Sequence, residues 1–327
     1  MMNTQWRDFL LSQPAIVGDA GAVVFPGSET AARICPISQL AVLVIAGKDA
    51  ATLLQGQLTC NVYELTEQRA VFAAMCNAKG RVITTFLLMK RVDCFLMVLP
   101  QVLLETVRKK LQMYVLRSVV TIVDGSEQWC LLGLFTNQVG QHVNFNMQFD
   151  AAIDAIRIQW PSVSVDRLLV LVPADRVISL WQQCVQSGYQ VCGASQWSYA
   201  DLRIGLPWLS TESSEQFIPQ MLNIDQLGGI SFNKGCYTGQ EIVARTHYLG
   251  TVKRALFVAE CDTQILPDVN ALIFNDNASN FDTAQSVGTT VAAQCIQNKC
   301  IVQIVLQLDA KTAPLVLADQ TPLTLLS

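Results

Sequence analysis

Three observations on the amino-acid sequence predict an α+β protein that ends in a small all-β domain. Strand-like and helix-like segments are mixed over the first 250 residues without the strict alternation of a doubly wound sheet. From about Thr251 onward, short apolar runs alternate with Asn, Asp, Gly and Pro, as in a barrel or sandwich. Hydrophobic residues make up 51% of the 327 residues and charged residues 15%, so the chain can bury a large core.

Short apolar runs that end at turn residues predict the strands of the first part. The run 69–90 is interpreted as two strands joined by a hairpin turn that contains Asn77 and Gly80. The other predicted strands are "LAVLVIAG" (40–47), "DCFLMVLP" (93–100), "VVTIVDG" (119–125), "WCLLGLF" (129–135) and "RLLVLVP" (167–173).

Apolar residues at helical spacing predict three helices. The first follows Asp49, a residue suited to a helix start, in "KDAATLLQGQLT". The second spans 101–113 and has one apolar face. Its inward-facing residues are predicted to be Val102, Leu103, Val107 and Leu111. The third, in "ADRVISLWQQCVQSG", is predicted to end at Gly188.

The charge balance argues against a nucleic-acid-binding protein. The net charge is −4, the pI is about 5.2, and no run of Lys and Arg forms a basic stripe. We therefore expect no strong direct binding to a phosphate backbone. The N-terminus lacks the pattern of a signal peptide and the apolar windows contain polar residues, so we expect a cytoplasmic protein without a membrane span.

The numbers of cysteines and histidines limit the redox and metal chemistry that the chain can support. Eleven cysteines, an odd number, predict reduced thiols in an intracellular protein. Cys295 and Cys300 lie in strand-like sequence and are expected on opposite faces, so that they do not bind a metal together. With only His142 and His247 present, no metal site is predicted. His247 is interpreted as a surface or loop residue. The alternative is that it approaches the thiol of Cys236 in space and acts as a base.

Two stretches are unusually polar for so apolar a chain. One combines "QGQLTCNV" (55–62) with "CNAKGRV" (76–82), and the other spans 197–250. In the second, "KGCYTGQE" places Cys236 between Gly235 and Gly239, two residues after Lys234. A thiol in an exposed turn beside a cation is more reactive than a core cysteine. Two interpretations remain open: Lys234 favours the thiolate form of Cys236 at a functional site, or Cys236 packs under the turn.

Two tryptophans flank the segment "SYADLRIGLP". Trp197 could offer a flat face to a planar heterocycle at a pocket wall, or it is a core residue. Trp208, next to Pro207, is interpreted as a core residue. Asp201 and Arg203 form either a structural ion pair or the polar end of a pocket.

The segment "FIPQMLNIDQLGGISFNKGCYTGQEIVAR" (217–245) resembles the signature of the YgfZ family, the folate-binding relatives of the glycine cleavage system T protein. The K-G-C-Y-x-G-Q-E motif of that family is complete from Lys234 to Glu241. "GKDAATLLQGQLTCNV" and "CNAKGRV" also resemble the family's N-terminal segments. The resemblance spans roughly 40–250, and the β tail fits the family's C-terminal barrel.

The resemblance implies a T-protein-like fold that binds tetrahydrofolate or a one-carbon derivative in a central channel. It also implies a role in maintaining iron–sulfur enzymes. The expected partners are such enzymes, including those that methylthiolate tRNA. Cys236 and Lys234 are then the candidate reactive thiol and its activator. The cofactor-binding candidates are Trp197, Leu40, Arg203, Tyr237, Gln240 and Glu241.

The departures from the T-protein pattern bear on chemistry. Thr84 and Thr85 stand where the T protein carries an acidic pair, and a threonine cannot supply the charge that activates a folate nitrogen. Arg203 stands where the T protein has a glutamate that grips the pterin. Leu40 stands where some YgfZ proteins have a second tryptophan, so it offers an apolar wall without a stacking face.

The resemblance also divides the chain into three parts. They are a leader (1–39) packed on the folate-binding region, that region itself (40–250, two interleaved α+β subdomains) and a β-barrel (251–327). The preferred function is a folate-binding factor that supports iron–sulfur cluster assembly or repair. The alternative is a folate-dependent transferase of one-carbon, aminomethyl-type groups.

Overall fold

The computed structural model describes residues 2–13, 16–17, 23–24, 32–136, 144–163, 165–263, 265–276, 285–296 and 298–326. His142 lies outside these residues. The described residues contain α-helices and short 3₁₀ helices. The α-helices are α1 (Thr4–Ser12), α2 (Ala50–Gln55), α3 (Leu104–Val115), α4 (Val177–Gln186), α5 (Ala194–Arg203) and α6 (Gln240–Tyr248). The 3₁₀ helices are Val62–Glu64, Gln101–Leu103, Pro219–Leu222 and Leu308–Ala310.

The strands form an isolated pair, two open sheets and a closed barrel. The strands of the first part are β1 (Ile16–Val17), β2 (Val23–Val24), β3 (Arg33–Pro36), β4 (Leu40–Ala46), β5 (Val71–Cys76), β6 (Val82–Lys90), β7 (Cys94–Pro100), β8 (Thr121–Asp124), β9 (Trp129–Phe135), β10 (Met147–Asp150), β11 (Ala155–Trp160), β12 (Arg167–Pro173) and β13 (Gln190–Val191). Those of the C-terminal part are β14 (Arg254–Asp262), β15 (Leu272–Asn275), β16 (Gly288–Ile296), β17 (Lys299–Gln307), β18 (Leu315–Leu317) and β19 (Pro322–Leu325).

The sheet orders show how chain neighbours are rearranged. β1 pairs with β2; the larger open sheet has the order β10-β11-β12-β9-β3-β13, and the smaller one β5-β6-β7-β4-β8. The barrel closes in the order β14-β17-β16-β15-β18-β19. The predicted α+β class and the predicted β-rich tail are confirmed. Of the two alternatives for the tail, a barrel or a sandwich, the structure shows a closed barrel.

Most predicted elements are present, but one side-chain prediction is wrong and several elements were not predicted. The hairpin β5–β6 turns at Asn77 and Gly80, and Gly188 ends α4 with φ +92°. The prediction that Val102 faces the core is wrong, because its side chain is 62% exposed. Residues 101–103 form a 3₁₀ turn before α3, and its tighter winding rotates Val102 away from the buried face. Helices α1, α5 and α6 were not predicted.

The chain divides into two compact units that are interleaved in sequence. Unit 1 comprises Met1–Gln55, Val62–Phe72 and Phe86–Trp197; unit 2 comprises Gly56–Asn61, Ala73–Thr85 and Ser198–Ser327. The division into 1–39, 40–250 and 251–327 stays a prediction. Within the described ranges, no helix is both long and apolar enough to cross a membrane.

In unit 1, helix α1 buries two side chains against α4. Trp6 and Leu10, four positions apart, are 1% and 0% exposed, which is the spacing of one helical face. The Trp6 ring meets Trp181 of α4 edge-on, with ring centroids 5.3 Å apart. The side chain of Asn3 caps α1 by accepting a hydrogen bond from the Trp6 N–H at 3.0 Å. Helix α1, capped by Asn3, therefore forms part of a buried cluster.

In unit 2, alternate residues of strand β17, which is buried along most of its length, contribute to the barrel core. Cys300, Val302, Ile304 and Leu306 are all fully buried and belong to one apolar cluster. Cys295 on β16 lies directly opposite Cys300 and forms a disulfide with it. The predictions that these two cysteines lie on opposite faces and that all eleven thiols are reduced are therefore wrong. The two residues belong to different strands, and residues paired across a ladder share a face.

Candidate functional site

The "KGCYTGQE" segment is a tight turn that leads into α6. The side chain of Cys236 is exposed, whereas Tyr237 is 7% exposed. The Gln240 side chain accepts a hydrogen bond from the Tyr237 N–H at 3.1 Å. Gly239 precedes α6 with φ +85°, a conformation that favours glycine. The turn thus presents the thiol while its neighbours are fixed.

Lys234 is buried and tied to a remote segment of the chain. Its side chain is 7% exposed, and Nζ donates to the carbonyl oxygens of Leu58 and Cys60, each at 2.7 Å. The ammonium also lies 5.0 Å from the centre of the Tyr237 ring. Burial lowers the pKa of Lys234 to about 8. These contacts clamp residues 58–60 onto the motif, a role that the sequence did not indicate; its predicted effect on Cys236 stays a prediction.

Residues 56–60 contact the motif at further points. The Thr238 N–H donates to the carbonyl oxygen of Gly56 at 3.1 Å, and the Thr238 hydroxyl to Gln57 Oε1 at 3.1 Å. The buried Thr59 hydroxyl donates to the carbonyl oxygen of Gly229 at 2.7 Å. Gln57 and Thr59 are site residues that sequence reasoning did not single out. Their signal was the polar character of "QGQLTCNV" in an apolar chain.

The hairpin turn between β5 and β6 packs on the start of α6. Asn77 Oδ1 accepts hydrogen bonds from the N–H groups of Lys79 and Arg81 at 2.9 and 3.0 Å. A Cβ on Gly239 would lie 2.5 Å from the carbonyl oxygen of Asn77, and one on Gly80 would lie 2.8 Å from Cβ of Ile242. The two polar stretches marked in the sequence therefore meet within unit 2.

The floor beneath the turn is apolar and disfavours charge. Burial raises the pKa of the Cys60 thiol to about 12, although the Lys234 ammonium opposes the shift. Burial also raises the pKa of Cys76 to about 12 and that of Tyr237. These groups stay neutral near pH 7, so Cys236 is the accessible thiol of the site.

Cys236 is expected to be the first thiol alkylated by iodoacetamide near pH 7.5. Of the nine free cysteines it is the exposed one, and burial raises the pKa of half-buried Cys94 and Cys184. Mass-spectrometric mapping after short labelling times tests this order. Labelling of Cys94 or Cys184 at the same rate as Cys236 would contradict it.

Trp197, predicted as a stacking residue, is fully buried within unit 1. The guanidinium of Arg167 lies 4.7 Å from its ring centre, and Phe135 and Trp160 pack against it with centroids 5.6 and 5.5 Å away. Gly133 makes room for the indole, since a Cβ there would lie 2.4 Å from Cε3. None of the described residues accepts a hydrogen bond from its Nε1–H. Stacking on a ligand stays a prediction.

The other predicted binding residues occupy varied settings. Leu40 is 5% exposed and lines a cavity of about 20 Å³ in unit 1, the size of one water molecule. Arg203 makes an ion pair with Glu260 at 2.9 Å. Glu241 is exposed in the first turn of α6. For these residues, as for Tyr237 and Gln240, a role in cofactor binding stays a prediction.

Asp201 and Trp208 are linked to each other. The Trp208 indole N–H donates to Asp201 Oδ2 at 2.9 Å, and Asp201 is 1% exposed. The carboxylate thus accepts a hydrogen bond from Trp208, which is only partly buried, so the prediction of a core tryptophan at this position is wrong. The half-exposed Arg203 turns to a different acid, Glu260.

The two threonines at the acidic-pair positions are buried within unit 2. Both are 0% exposed. The Thr84 hydroxyl donates to the carbonyl oxygen of Thr85 at 2.9 Å, and the Thr85 hydroxyl to that of Pro207 at 2.5 Å. These hydroxyls satisfy backbone acceptors, so they serve the fold and carry no charge.

His247 lies on the surface of α6. Its ring stacks on Phe232 with centroids 3.7 Å apart and planes 14° from parallel. This agrees with the interpretation as a surface residue. Across the described part of the chain, no three His, Cys, Asp or Glu side chains are grouped so as to hold a metal ion.

Comparison with known proteins gives relatives that match most of the chain. The tRNA-modifying protein YgfZ of Klebsiella pneumoniae (strain 342) is 31% identical over 277 residues, covering 82% of this chain and 83% of that protein. The protein of the same name from Enterobacter sp. (strain 638) is 32% identical over 280 residues, covering 82% and 83%. That of Colwellia psychrerythraea (strain 34H) is 28% identical over 291 residues, covering 87% and 88%.

The fold comparison agrees. Residues 28–147 match the GCVT N-terminal domain family. The glycine cleavage system aminomethyltransferase T of Bartonella henselae is 13% identical with a TM-score of 0.78, covering 98% of this chain and 95% of that one. This likeness confirms the predicted T-protein-like fold with its C-terminal barrel. Together with the identity of 31–32% over about four fifths of two relatives, it leads to one conclusion: the chain belongs to the YgfZ family.

Proposed function

We propose that this protein binds tetrahydrofolate or a one-carbon derivative and uses Cys236 to support iron–sulfur cluster assembly or repair, and through it tRNA modification. The observation that carries the proposal is the complete 234–241 motif, whose exposed thiol is framed by residues 56–60 and by the 77–81 turn. Three chain segments fix the backbone around one accessible sulfur. That arrangement suits a thiol that acts on other molecules better than one that fills space.

Buried polar atoms without partners support a ligand of pterin chemistry. In unit 2, Gln220 Oε1, Asn223 Oδ1 and Asp225 Oδ1 are buried, and none of the described residues donates to them. A buried acceptor without a donor costs about 1–3 kcal/mol, so such groups call for a partner. A reduced pterin carries several N–H donors along one edge, and these are the groups that such acceptors lack.

A donor is unsatisfied in unit 1. The Nε1–H of Trp197 is fully buried and has no acceptor among the described residues. The pterin carbonyl oxygen and ring nitrogens are acceptors that an indole N–H can bind. The unsatisfied acceptors of unit 2 and, separately, the indole N–H of unit 1 are each groups whose hydrogen bonds a folate can satisfy. When bound, a reduced folate supplies two nitrogens that carry a one-carbon unit.

The chemistry expected of the chain itself centres on sulfur. A thiolate is a soft ligand and suits iron and iron–sulfur clusters, and it is also the nucleophilic form of cysteine. Lys234 holds residues 58–60 against the motif and so positions the turn that carries Cys236. The neutral floor formed by Cys60, Cys76 and Tyr237 excludes water from the base of the turn.

The alternative function, aminomethyl transfer, lacks a catalytic carboxylate at the expected place. Thr84 and Thr85 are buried and committed to backbone acceptors. General acid–base catalysis contributes about 10²–10⁴-fold to rate, and neither hydroxyl supplies that charge. Formation of methylene-tetrahydrofolate from a glycine-derived aminomethyl donor at about 1 s⁻¹ or faster would favour the transferase over the present proposal.

Calorimetry and complementation test the two halves of the proposal. Tetrahydrofolate is expected to bind the wild type, and Trp197→Phe, which keeps a ring but removes the N–H, to bind several-fold more weakly. Cys236→Ser is expected to fold normally and to fail to restore iron–sulfur enzyme activity in a strain that lacks the gene.

Matched variants separate function from folding. Trp181→Phe changes a buried tryptophan of the α1–α4 cluster and should leave folate affinity unchanged. Cys94→Ser changes a half-buried thiol and should complement fully. Absence of tetrahydrofolate binding by the wild type would refute the folate half, and full complementation by Cys236→Ser would refute the thiol half.

A further inference from the structure

Three aromatic rings gather on the surface of unit 2 next to the motif. We call Phe232, His247 and Tyr248 the aromatic platform. Phe232 and His247 stack nearly parallel at 3.7 Å, and Tyr248 meets His247 edge-on at 4.8 Å and 79°. His247 is exposed and the Tyr248 side chain is 62% exposed. Solvent-exposed aromatic rings are surfaces on which another planar ring can stack.

The chain around the platform is basic although the protein is acidic. Residues 242–259 contain Arg245, Lys253 and Arg254 and no Asp or Glu, although Glu241 and Glu260 flank them, whereas the net charge of the whole chain is −4. All three cations are exposed. In the described residues, the ion pair of this neighbourhood joins Arg203 to Glu260 and uses none of the three. A local excess of positive charge therefore accompanies the exposed rings.

We propose that the aromatic platform and these three cations form a binding surface for single-stranded RNA. Unpaired bases stack on aromatic side chains, and Lys and Arg neutralise the adjacent phosphates. The exposed rings distinguish this surface from a purely charged patch. The overall charge repels a long polyanion, so binding is expected to be weak and to decline steeply with salt.

The proposal is independent of folate binding and of the Cys236 chemistry. It rests on residues 232 and 245–254, none of which was assigned to the folate site. The sequence-level expectation was no strong nucleic-acid binding, and a weak local surface is compatible with it. The platform residue Phe232 lies four positions before Cys236 in the sequence.

Fluorescence anisotropy with a labelled 12-nucleotide oligo(U) RNA tests the surface. In 50 mM salt the wild type is expected to bind, and Tyr248→Ala to bind about tenfold more weakly because a stacking ring is lost. Arg245→Gln is expected to weaken binding and to lower the slope of log affinity against log salt by about 1. Both side chains are exposed, and unchanged thermal unfolding will show that each variant is folded.

Tyr63→Ala removes a tyrosine of similar exposure, 60%, from unit 1 and should leave the affinity unchanged. Four outcomes would overturn the proposal: no binding by the wild type, equal binding of double-stranded RNA, an equal loss in Tyr63→Ala, or wild-type affinity in both Tyr248→Ala and Arg245→Gln. Binding of a poly-glutamate peptide with no binding of RNA would indicate an acidic protein partner instead.

Discussion

Replacing Gly239 by alanine is expected to lower the free energy of unfolding by about 3 kcal/mol, from strain plus overpacking. The backbone of Gly239 has φ +85°, which an L side chain rarely adopts. The new Cβ would lie 2.5 Å from the carbonyl oxygen of Asn77 and 3.0 Å from Cα of Gly80. Both are backbone atoms of the hairpin turn and cannot rotate away, so the turn must separate from α6.

Two other glycines of the same region make the measurement specific. Gly228 has φ +72° but open space at its Cβ, so Gly228→Ala should cost about 1 kcal/mol from backbone strain alone. Gly235 has neither a strained φ nor a neighbour within 4 Å, so Gly235→Ala should be nearly neutral. Urea unfolding of the three variants should rank them in that order. Equal stability of Gly239→Ala and Gly235→Ala would show that the hairpin turn does not pack closely on the start of α6.

Lys234→Met is expected to destabilise the protein by about 2–4 kcal/mol, because two buried carbonyl oxygens lose their donor. The Leu58 and Cys60 carbonyls each accept from Nζ at 2.7 Å, and methionine fills a similar volume without a proton to donate. Lys79→Met changes an exposed lysine of the hairpin turn and should alter stability little. Equal stability of the two variants would indicate that the Lys234 clamp does not form.

The same pair of proteins should show a diagnostic pH dependence. Burial lowers the pKa of Lys234 from 10.5 to about 8 in the folded state. Between those pH values the unfolded chain binds the proton and the folded protein has released it, so the free energy of unfolding rises with pH. Methionine lacks this proton. The stability of the wild type relative to Lys234→Met should therefore increase by about 1 kcal/mol from pH 7 to pH 9.

Urea titrations of both proteins at pH 7 and pH 9 measure this difference directly. Taking the difference between the two proteins cancels the contributions of groups that both contain. Cys60 is one of them: because its pKa is raised in the folded state, it lowers the free energy of unfolding at pH values above its unfolded pKa of about 9. A difference that stays constant with pH would mean that Lys234 keeps its ordinary pKa. It would then be solvated and not buried under the turn.

Local patterns determined much of the fold. The apolar runs of β4, β7, β9 and β12 could be read from their continuous hydrophobicity and the turn residues that end them. The inward face of α3 could be read from residue spacing, because burial on one side of a helix imposes a period. The hairpin turn was readable from Asn77 and Gly80, since few residues suit its conformation. The prediction for Val102 failed because the same residue pattern can start a 3₁₀ turn or an α-helix, and the two orient their side chains differently.

The motif residues were also readable from the sequence, but their partners were not. "KGCYTGQE" marked a thiol in a Gly-flanked turn, and the polar stretches 55–62 and 76–82 stood out by composition. Local sequence carries no record of which remote carbonyl a lysine reaches. The same limitation misplaced Cys295 and Cys300, whose pairing depends on the register between two strands.

By itself, then, the sequence determined the class of fold, the family and the residues at which chemistry is expected, because these depend on spacing and residue type. Only the tertiary structure decided that Lys234 is buried on Leu58 and Cys60 while Cys236 stays exposed, and that Thr84 and Thr85 are committed to the backbone. Those outcomes depend on which distant segments meet. Such contacts are set by the packing of the whole chain, where burial changes the charge and the hydrogen-bonding needs of each group.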